Sequence, residues 1–238
     1  MNWTRAAIFG ASGGIGDALV RALAANGAEV FAGSRGGTAP DLPRVTPFAF
    51  DLSDEASIAG AVEAWKDSPP DLVIVATGVL TLSDGTGPER SLKHLNAALM
   101  NEMLQLNTIG PAIIAKHVLP MFPRTAPATF AALSARVGSI ADNRIGGWHS
   151  YRASKAALNM LIRNFAIEMG RTHKQAVIAG LHPGTVDTGL SKPFQSNLPH
   201  GQLTAADEAA RNLLEVLANL KPEDSGSVFD WKGDRVPE

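Results

Sequence analysis

The chain contains no cysteine. Disulfides, thiolate nucleophiles and cysteine-ligated zinc are therefore excluded. It also lacks a strong charge of either sign. A formal net charge of −2 gives no electrostatic reason to expect nucleic acid or an anionic membrane as partner. No apolar run approaches the roughly 18 residues a membrane-spanning helix needs. The N-terminal stretch MNWTRAAIFGASGG enters a strand-like segment without the apolar core of a secretory signal, so a cytoplasmic location is expected. Tyrosine is nearly missing, with Tyr151 the single residue of its kind. The six histidines are scattered without ligand-like spacing, so no metal site is expected.

What remains is ordinary globular material, 45% hydrophobic and 18% charged over 238 residues. With no linker or repeat, residues 1–238 are expected to form a single domain. Short apolar runs, RAAIFG, AEVFAGS, VTPFAF, DLVIVAT, ATFAALS and AVIAGLH, read as strands. Several lack polar alternation, which suits burial on both faces. Helical patterns are predicted at 14–26, 54–65, 101–122, 148–170 and 204–220. This alternation predicts an α/β fold, a doubly wound parallel sheet of about seven strands with helices on both faces.

Two stretches fit neither pattern, Leu80–Asn96 after the fourth strand and Ser191–Leu203 after the sixth. Each leaves the carboxyl end of its strand, where open α/β sheets bind ligands. The second is polar and rich in proline and glycine, and reads as a mobile flap. Apolar Leu80, Leu82 and Phe194 within them, and Leu190 just before the second, suit a partly apolar carbonyl compound.

The first strand leads into GASGGIG and then a helix. Gly10, Gly14 and Gly16 lie where turn becomes helix. Glycine lets backbone approach a phosphate closely, and a helix N-terminus supplies free N–H groups and partial positive charge. The spacing G-x-x-x-G-x-G differs from the usual dinucleotide fingerprint, but the strand-turn-helix context is the required one. The second strand ends in Ser34 and Arg35, where dinucleotide sites often carry an acid for the ribose hydroxyls. An arginine pairs with a 2′-phosphate and a serine can donate to it, so NADP(H) is favoured over NAD(H). Asp51, past the third strand, is either an acceptor for the adenine amino group or a turn and helix-cap acid.

Tyr151 and Lys155 stand four apart and share a helix face. A phenol has a pKa near 10. A neighbouring ammonium stabilises the phenolate and makes proton exchange with a carbonyl oxygen feasible. The pair alone is a common accident of helices. Together with the glycine turn it points to dinucleotide-dependent redox chemistry.

The ordered set GASGGIG, Asp51 in FDLSD, Asn107 in LNTIGP, LSARVGS, YRASK and HPGTVDTG resembles the short-chain dehydrogenase/reductase (SDR) family across almost the whole chain. SARVGSIADNRIGGWHSYRASKAALN and the terminal SGSVFDWKGDRVPE are similar to its branch of C-factor and sniffer-type carbonyl reductases. The resemblance implies a Rossmann fold and a carbonyl or alcohol substrate. It implies Tyr151 as general acid or base, Lys155 as its modulator and ribose ligand, and Asn107 holding a water in a proton relay to Lys155. The cofactor site it implies comprises Gly10, Ser12, Gly13, Gly14, Ile15, Gly16, Ser34, Arg35, Asp51, Leu52, Ala76, Thr77, Gly78, Asn107, Tyr151, Lys155, Pro183, Gly184, Val186 and Thr188. It further implies a homodimer or homotetramer built on the helices carrying Asn107 and Tyr151.

Two departures stand out. The family's S-S-x-x-G stretch, anchored on Gly138, puts its catalytic serine at Ala135, which cannot donate. Ser134 is the candidate substitute if the strand bulges, and Ser139 another. Without a substitute, the chain is either a slow enzyme or a cofactor-binding signalling or sensor protein. The second departure replaces the family's N-N-A-G by Val75-Ala76-Thr77-Gly78, from which looser packing beside the adenosine is expected. His149, His182 and Trp148 lie close enough in sequence to the key motifs to line a pocket, with a surface, packing or core role the alternative for each.

Overall fold

The computed structural model describes residues 3–197 and 201–238. Seven strands form one parallel sheet. They are β1 (Arg5–Phe9), β2 (Glu29–Ser34), β3 (Val45–Ala49), β4 (Leu72–Val75), β5 (Ala128–Leu133), β6 (Ala176–His182) and β9 (Val228–Asp230). Their order is β3-β2-β1-β4-β5-β6-β9. Two short strands, β7 (Thr185–Val186) and β8 (Leu203–Thr204), pair beside it. The predicted doubly wound α/β fold is what the chain adopts. The seventh strand, only three residues long, lies outside the six runs read from sequence.

Successive residues of each central strand serve opposite faces. Ala6 and Ile8 face the side covered by α1 (Gly14–Ala25) and α6 (Ala206–Asn219), whose Leu19, Leu23, Leu213 and Leu217 complete that core. Ala7 and Phe9 face α2 (Glu55–Glu63), α4 (Gly110–Val118) and α5 (His149–Met169) through Ile58, Ile114, Val118, Leu158 and Ile162. Each such fully buried aliphatic chain contributes about 1.5–3 kcal/mol by leaving water. Because both sets are apolar, these strands show no polar alternation. Pro47, which cannot donate to a ladder, sits in β3 at the sheet edge, where this is tolerated.

The helix predicted at 101–122 begins earlier, with α3 (Ala97–Leu104). The Asn96 side chain caps it, accepting from Ala98 N at 2.9 Å and Leu99 N at 3.0 Å. A π-helical turn over Gln105–Ile109 interrupts the helix before α4. α4 ends at Val118, four residues before the predicted 122, and runs into a 3-10 turn over Leu119–Met121. The ends of the other helices agree with the predicted ones within two residues. Among the described residues, no helix is long and apolar enough to cross a membrane.

The order reverses between β1 and β4, so connections leave in opposite directions there and open a crevice at the carboxyl ends. All the candidate residues lie at that end of the sheet. Of the predicted flap, Lys192–Asn197 is helical and Leu203 pairs in β8, while 198–200 lie outside the described residues.

Candidate active site

The glycine turn runs from β1 into α1. Gly10 has φ 99°, and its N–H donates to the Gly33 carbonyl at 2.9 Å. A Cβ on Gly16 would stand 2.1 Å from the Gly10 carbonyl oxygen, and one on Gly14 would stand 2.7 Å from Thr188 Cγ2. Side chains are thus excluded where α1 begins, leaving its first N–H groups open to an anion.

A cavity of about 560 Å³ opens beside this turn. It is lined by Ser12, Gly13, Gly14 and Ile15 of the turn, Ala76, Thr77 and Gly78 after β4, Pro183, Gly184, Val186 and Thr188 after β6, and Tyr151 and Lys155 of α5. Leu80, Leu190, Phe194, Trp148 and His182 also line it, whereas Leu82 lies in the neighbouring groove. The two loops singled out from sequence therefore meet at one site. Thr77 lines the cavity, and its Oγ1 is buried without a partner, a polar group left for a ligand to satisfy. Cavity, glycine cradle and orphaned hydroxyl together fit a dinucleotide.

The expected looseness beside β4 is absent. A Cβ on Gly10 would stand 3.0 Å from the Ala76 carbonyl carbon and the Thr77 nitrogen, so β1 and β4 are closely packed where they end. Small residues on both strands, rather than asparagine side chains, make that fit.

Lys155 is buried, and its Nζ donates to the Leu133 carbonyl at 2.8 Å. Nζ is 5.9 Å from the centroid of the Tyr151 ring. Burial pushes Lys155 down to about 8 and Tyr151 up to about 12. In the chain by itself, desolvation rather than the ammonium therefore sets the direction for Tyr151. The expected lowering of the phenol by Lys155 is not what this geometry gives. The phenol stays protonated at neutral pH.

Asn107 is fully buried in the π-helical turn. Its carboxamide bonds Val79 and donates to Ser154 Oγ at 3.2 Å. Ser154 Oγ in turn donates to the Tyr151 carbonyl at 2.8 Å, and its own carbonyl accepts from Thr108 Oγ1 at 2.7 Å. The Asn107 side chain thus ties the end of β4 to α5 rather than standing open in the cavity. Ser154 was invisible as a site residue in sequence, since a buried helical serine carries no signature.

Ala135 lines the cavity and packs with Leu80, Leu99, Met103 and Tyr151. Ser134 also lines it, but its hydroxyl is spent on Asn159 Oδ1 at 2.5 Å. Ser139 is buried outside the cavity, and its Oγ accepts from Asp142 N at 3.0 Å. Ser134 has its donor committed and Ser139 does not line the cavity, so neither replaces the missing hydroxyl.

Arg35 and Asp51 follow β2 and β3 and do not line the cavity. Arg35 is exposed and has no ion pair among the described residues. Ser34, by contrast, is buried, and its hydroxyl both donates to Thr38 O and accepts from Thr38 N, each at 2.8 Å. Its expected role as a phosphate donor is therefore taken up by a turn. Asp51 Oδ1 accepts from Ser53 Oγ at 2.6 Å and Ser53 N at 2.8 Å. These bonds, with the Arg35 charge, hold its carboxyl below the usual range. Leu52 supports the π-helical turn, its carbonyl accepting from Gln105 Nε2 at 3.1 Å.

Burial pushes His182 down to about 4, against the opposing pull of Asp230, so it is a neutral wall of the cavity. His149 Nε2 is buried and unpartnered and does not line the cavity. Among the described residues no three acidic or histidine side chains cluster as metal ligands.

A family model described as short chain dehydrogenase matches residues 4–199. The C-signal protein of Myxococcus xanthus is 34% identical over 169 residues, covering 71% of this chain and 93% of that protein. A carbonyl reductase from chicken fatty liver, solved with NADPH bound, superposes with a TM-score of 0.82 at 29% identity, over 99% of both chains. The fold of the Drosophila melanogaster carbonyl reductase Sniffer superposes with a TM-score of 0.84 at 20% identity, again over 99% of both.

Proposed function

This chain belongs to the short-chain dehydrogenase family, and from that premise we propose that it is an NADP(H)-dependent oxidoreductase interconverting a carbonyl compound and an alcohol. The chicken fatty-liver relative is a carbonyl reductase; the activity of this chain, its cofactor choice and the roles of individual residues are our reading. The observation that carries it is the single cavity that joins the glycine turn, the Pro183–Thr188 loop and the Tyr151–Lys155 pair.

When bound, NADP(H) supplies or accepts the hydride. Gly10 to Gly16 would hold its pyrophosphate at the α1 N-terminus, Arg35 would pair with the 2′-phosphate, and Thr77 Oγ1 would donate to one of its polar groups. Tyr151, kept protonated by burial, gives its proton to the carbonyl oxygen in reduction and takes one back in oxidation. Lys155, still largely cationic at neutral pH at about 8, stabilises the phenolate left behind. Asn107 and Ser154 keep the ends of β4 and α5 in register. Residues 1–238 act as one cofactor-binding domain in the cytoplasm, with a small-molecule partner and no nucleic acid or membrane. Exposed Ile109, Met160 and Ile167, near α4 and on α5, offer apolar surface for a homodimer or homotetramer.

The Ala135 substitution and the C-signal similarity favour one alternative, a cofactor-binding signalling or sensor protein with little turnover. Following NADPH consumption against a panel of aldehydes, ketones and quinones, with Tyr151→Phe in parallel, separates the two. Turnover that vanishes in the variant supports the reductase. Tight NADPH binding without turnover supports the sensor, and no dinucleotide binding sinks both.

A further inference from the structure

The loop Leu80–Asn96 carries Glu89, a carboxylate only 4% exposed. It lies against the start of α5, 61 residues further along the chain. Its Oε2 accepts the Ser150 N–H at 3.1 Å, its Oε1 accepts the Ser150 hydroxyl, and its backbone carbonyl accepts the Trp148 N–H. Helix α5 has neither a side-chain cap at Trp148 nor an acidic residue in its first turn. Glu89 supplies both from outside, bonding N–H groups that would otherwise be orphaned and meeting the positive end of the helix.

The residue it holds is strained. Trp148 has φ 52° and follows Gly146 and Gly147 at φ 68° and 67°. Glycine adopts this conformation freely, but a bulky side chain does so at a cost of order 1–3 kcal/mol, and only where its surroundings over-determine it. Gly147 also lies against Glu89, since a Cβ there would be 3.7 Å from the Glu89 carbonyl oxygen. The Trp148 ring meets the Tyr151 ring edge-on at 6.3 Å and leans on Phe194 at 5.3 Å. With Phe194 it forms the wall between the reactive cavity and an open groove of about 1130 Å³.

We infer that Glu89 is a positioning residue that caps α5 from the Leu80–Asn96 loop, holds Trp148 left-handed and so sets where the Trp148 ring and Tyr151 stand in the cavity. Burial works to raise its carboxyl, but the bonds from Ser150 and the nearby His149 outweigh that and leave it below the usual range. The carboxylate is thus charged at neutral pH. The kinetic consequence rests on the reductase reading; the cap rests on the structure alone.

The test compares Glu89→Ala and Glu89→Gln with the parent chain by amide hydrogen exchange over 148–152, NADPH affinity and steady-state kinetics on the best carbonyl of the panel. Glu89→Ala is expected to speed exchange at the Ser150 amide at least about tenfold and to lower kcat by about 10- to 100-fold, the scale of a sub-ångström to 1 Å misplacement. NADPH affinity should change far less than kcat, because the glycine turn and Arg35 lie away from the cap. Glu89→Gln, which keeps an acceptor oxygen, should recover most of the loss. Unchanged exchange, or unchanged kcat with only a lower Tm, overturns the inference. Should Glu89→Ala fail to fold, Ser150→Ala removes a single donor and must shift exchange and kcat in the same direction. If the parent chain shows no turnover, the reductase reading fails alone, and the exchange data still decide whether Glu89 is the cap.

Discussion

The Asn107 carboxamide and the Val79 peptide group exchange two hydrogen bonds. Oδ1 accepts the Val79 N–H at 2.8 Å and Nδ2 donates to the Val79 carbonyl at 2.9 Å. The side chain thus imitates a strand partner where β4 has none. It also fixes Gly78, where a Cβ would stand 3.3 Å from Asn107 Oδ1 and 3.4 Å from Lys155 Nζ. Asn107→Ala leaves both Val79 groups without this partner. Leaving a buried polar group unsatisfied costs about 1–3 kcal/mol, so a loss of that order is expected in urea unfolding. An unchanged midpoint would show that Val79 finds water instead.

Burial of the reactive pair makes stability depend on alkaline pH. Lys155, lowered to about 8 from 10.5, binds fewer protons folded than unfolded between those values, so its contribution to stability rises across that window. Tyr151, raised to about 12 from 10.0, binds more protons folded than unfolded, so its contribution falls across that higher window. Urea midpoints of Lys155→Met should lack the parent's rise above about pH 8. An identical profile in the variant would mean that Lys155 is solvated in solution.

Tyr151 is the proton donor in the proposed reaction. Removing a positioned acid typically costs about 10²–10⁴ in rate, and Tyr151→Phe should fall by that factor while NADPH affinity is kept. Because Lys155 must be charged to stabilise the phenolate, kcat for reduction should decline as pH rises through about 8. A rate still climbing through that region would remove Lys155 from the mechanism.

Arg35 is exposed just past β2, close enough to Asp51 for its charge to act there. A charge-assisted hydrogen bond to a 2′-phosphate is worth about 1.5–3 kcal/mol. Arg35→Ser should weaken NADPH by roughly 10- to 100-fold and leave NADH nearly unchanged. Equal weakening of both cofactors would assign Arg35 to the fold rather than to the phosphate.

Ala135 lines the cavity among apolar neighbours beside Tyr151. Ala135→Ser adds a hydroxyl there. A well-placed donor to a developing oxyanion is worth about 10²–10³ in kcat at most, and a clear gain on unactivated ketones is expected. Ser134→Ala, whose hydroxyl already serves Asn159, should change kcat little. The reverse pattern would show that Ser134 reorients and acts as the donor.

Much of the fold was legible because its signals are local. The apolar runs had to be buried on both faces, the glycines marked the β1–α1 turn, and Tyr151 with Lys155 stood one helical turn apart. The start of α3 was missed: Asn96 falls within the Leu80–Asn96 loop expected from sequence, although its side chain caps a helix that begins four residues before the predicted start. The π-helical turn had no such sign. It exists because Asn107 meets Val79 and Ser154, which lie 28 and 47 residues away.

The sequence by itself determined the α/β alternation, the glycine turn and the i, i+4 pairing of Tyr151 with Lys155, since each depends on residue type and short spacing. The tertiary structure decided which hydroxyls and charges are free to act. It spent Ser34 on Thr38 and Ser134 on Asn159, left Thr77 without a partner, turned the Asn107 side chain into a strand-end tie and brought Glu89 to the first turn of α5. These outcomes follow from burial. Once water is excluded, each polar group takes the partner that folding brings within hydrogen-bond reach, and chain distance carries no trace of that choice.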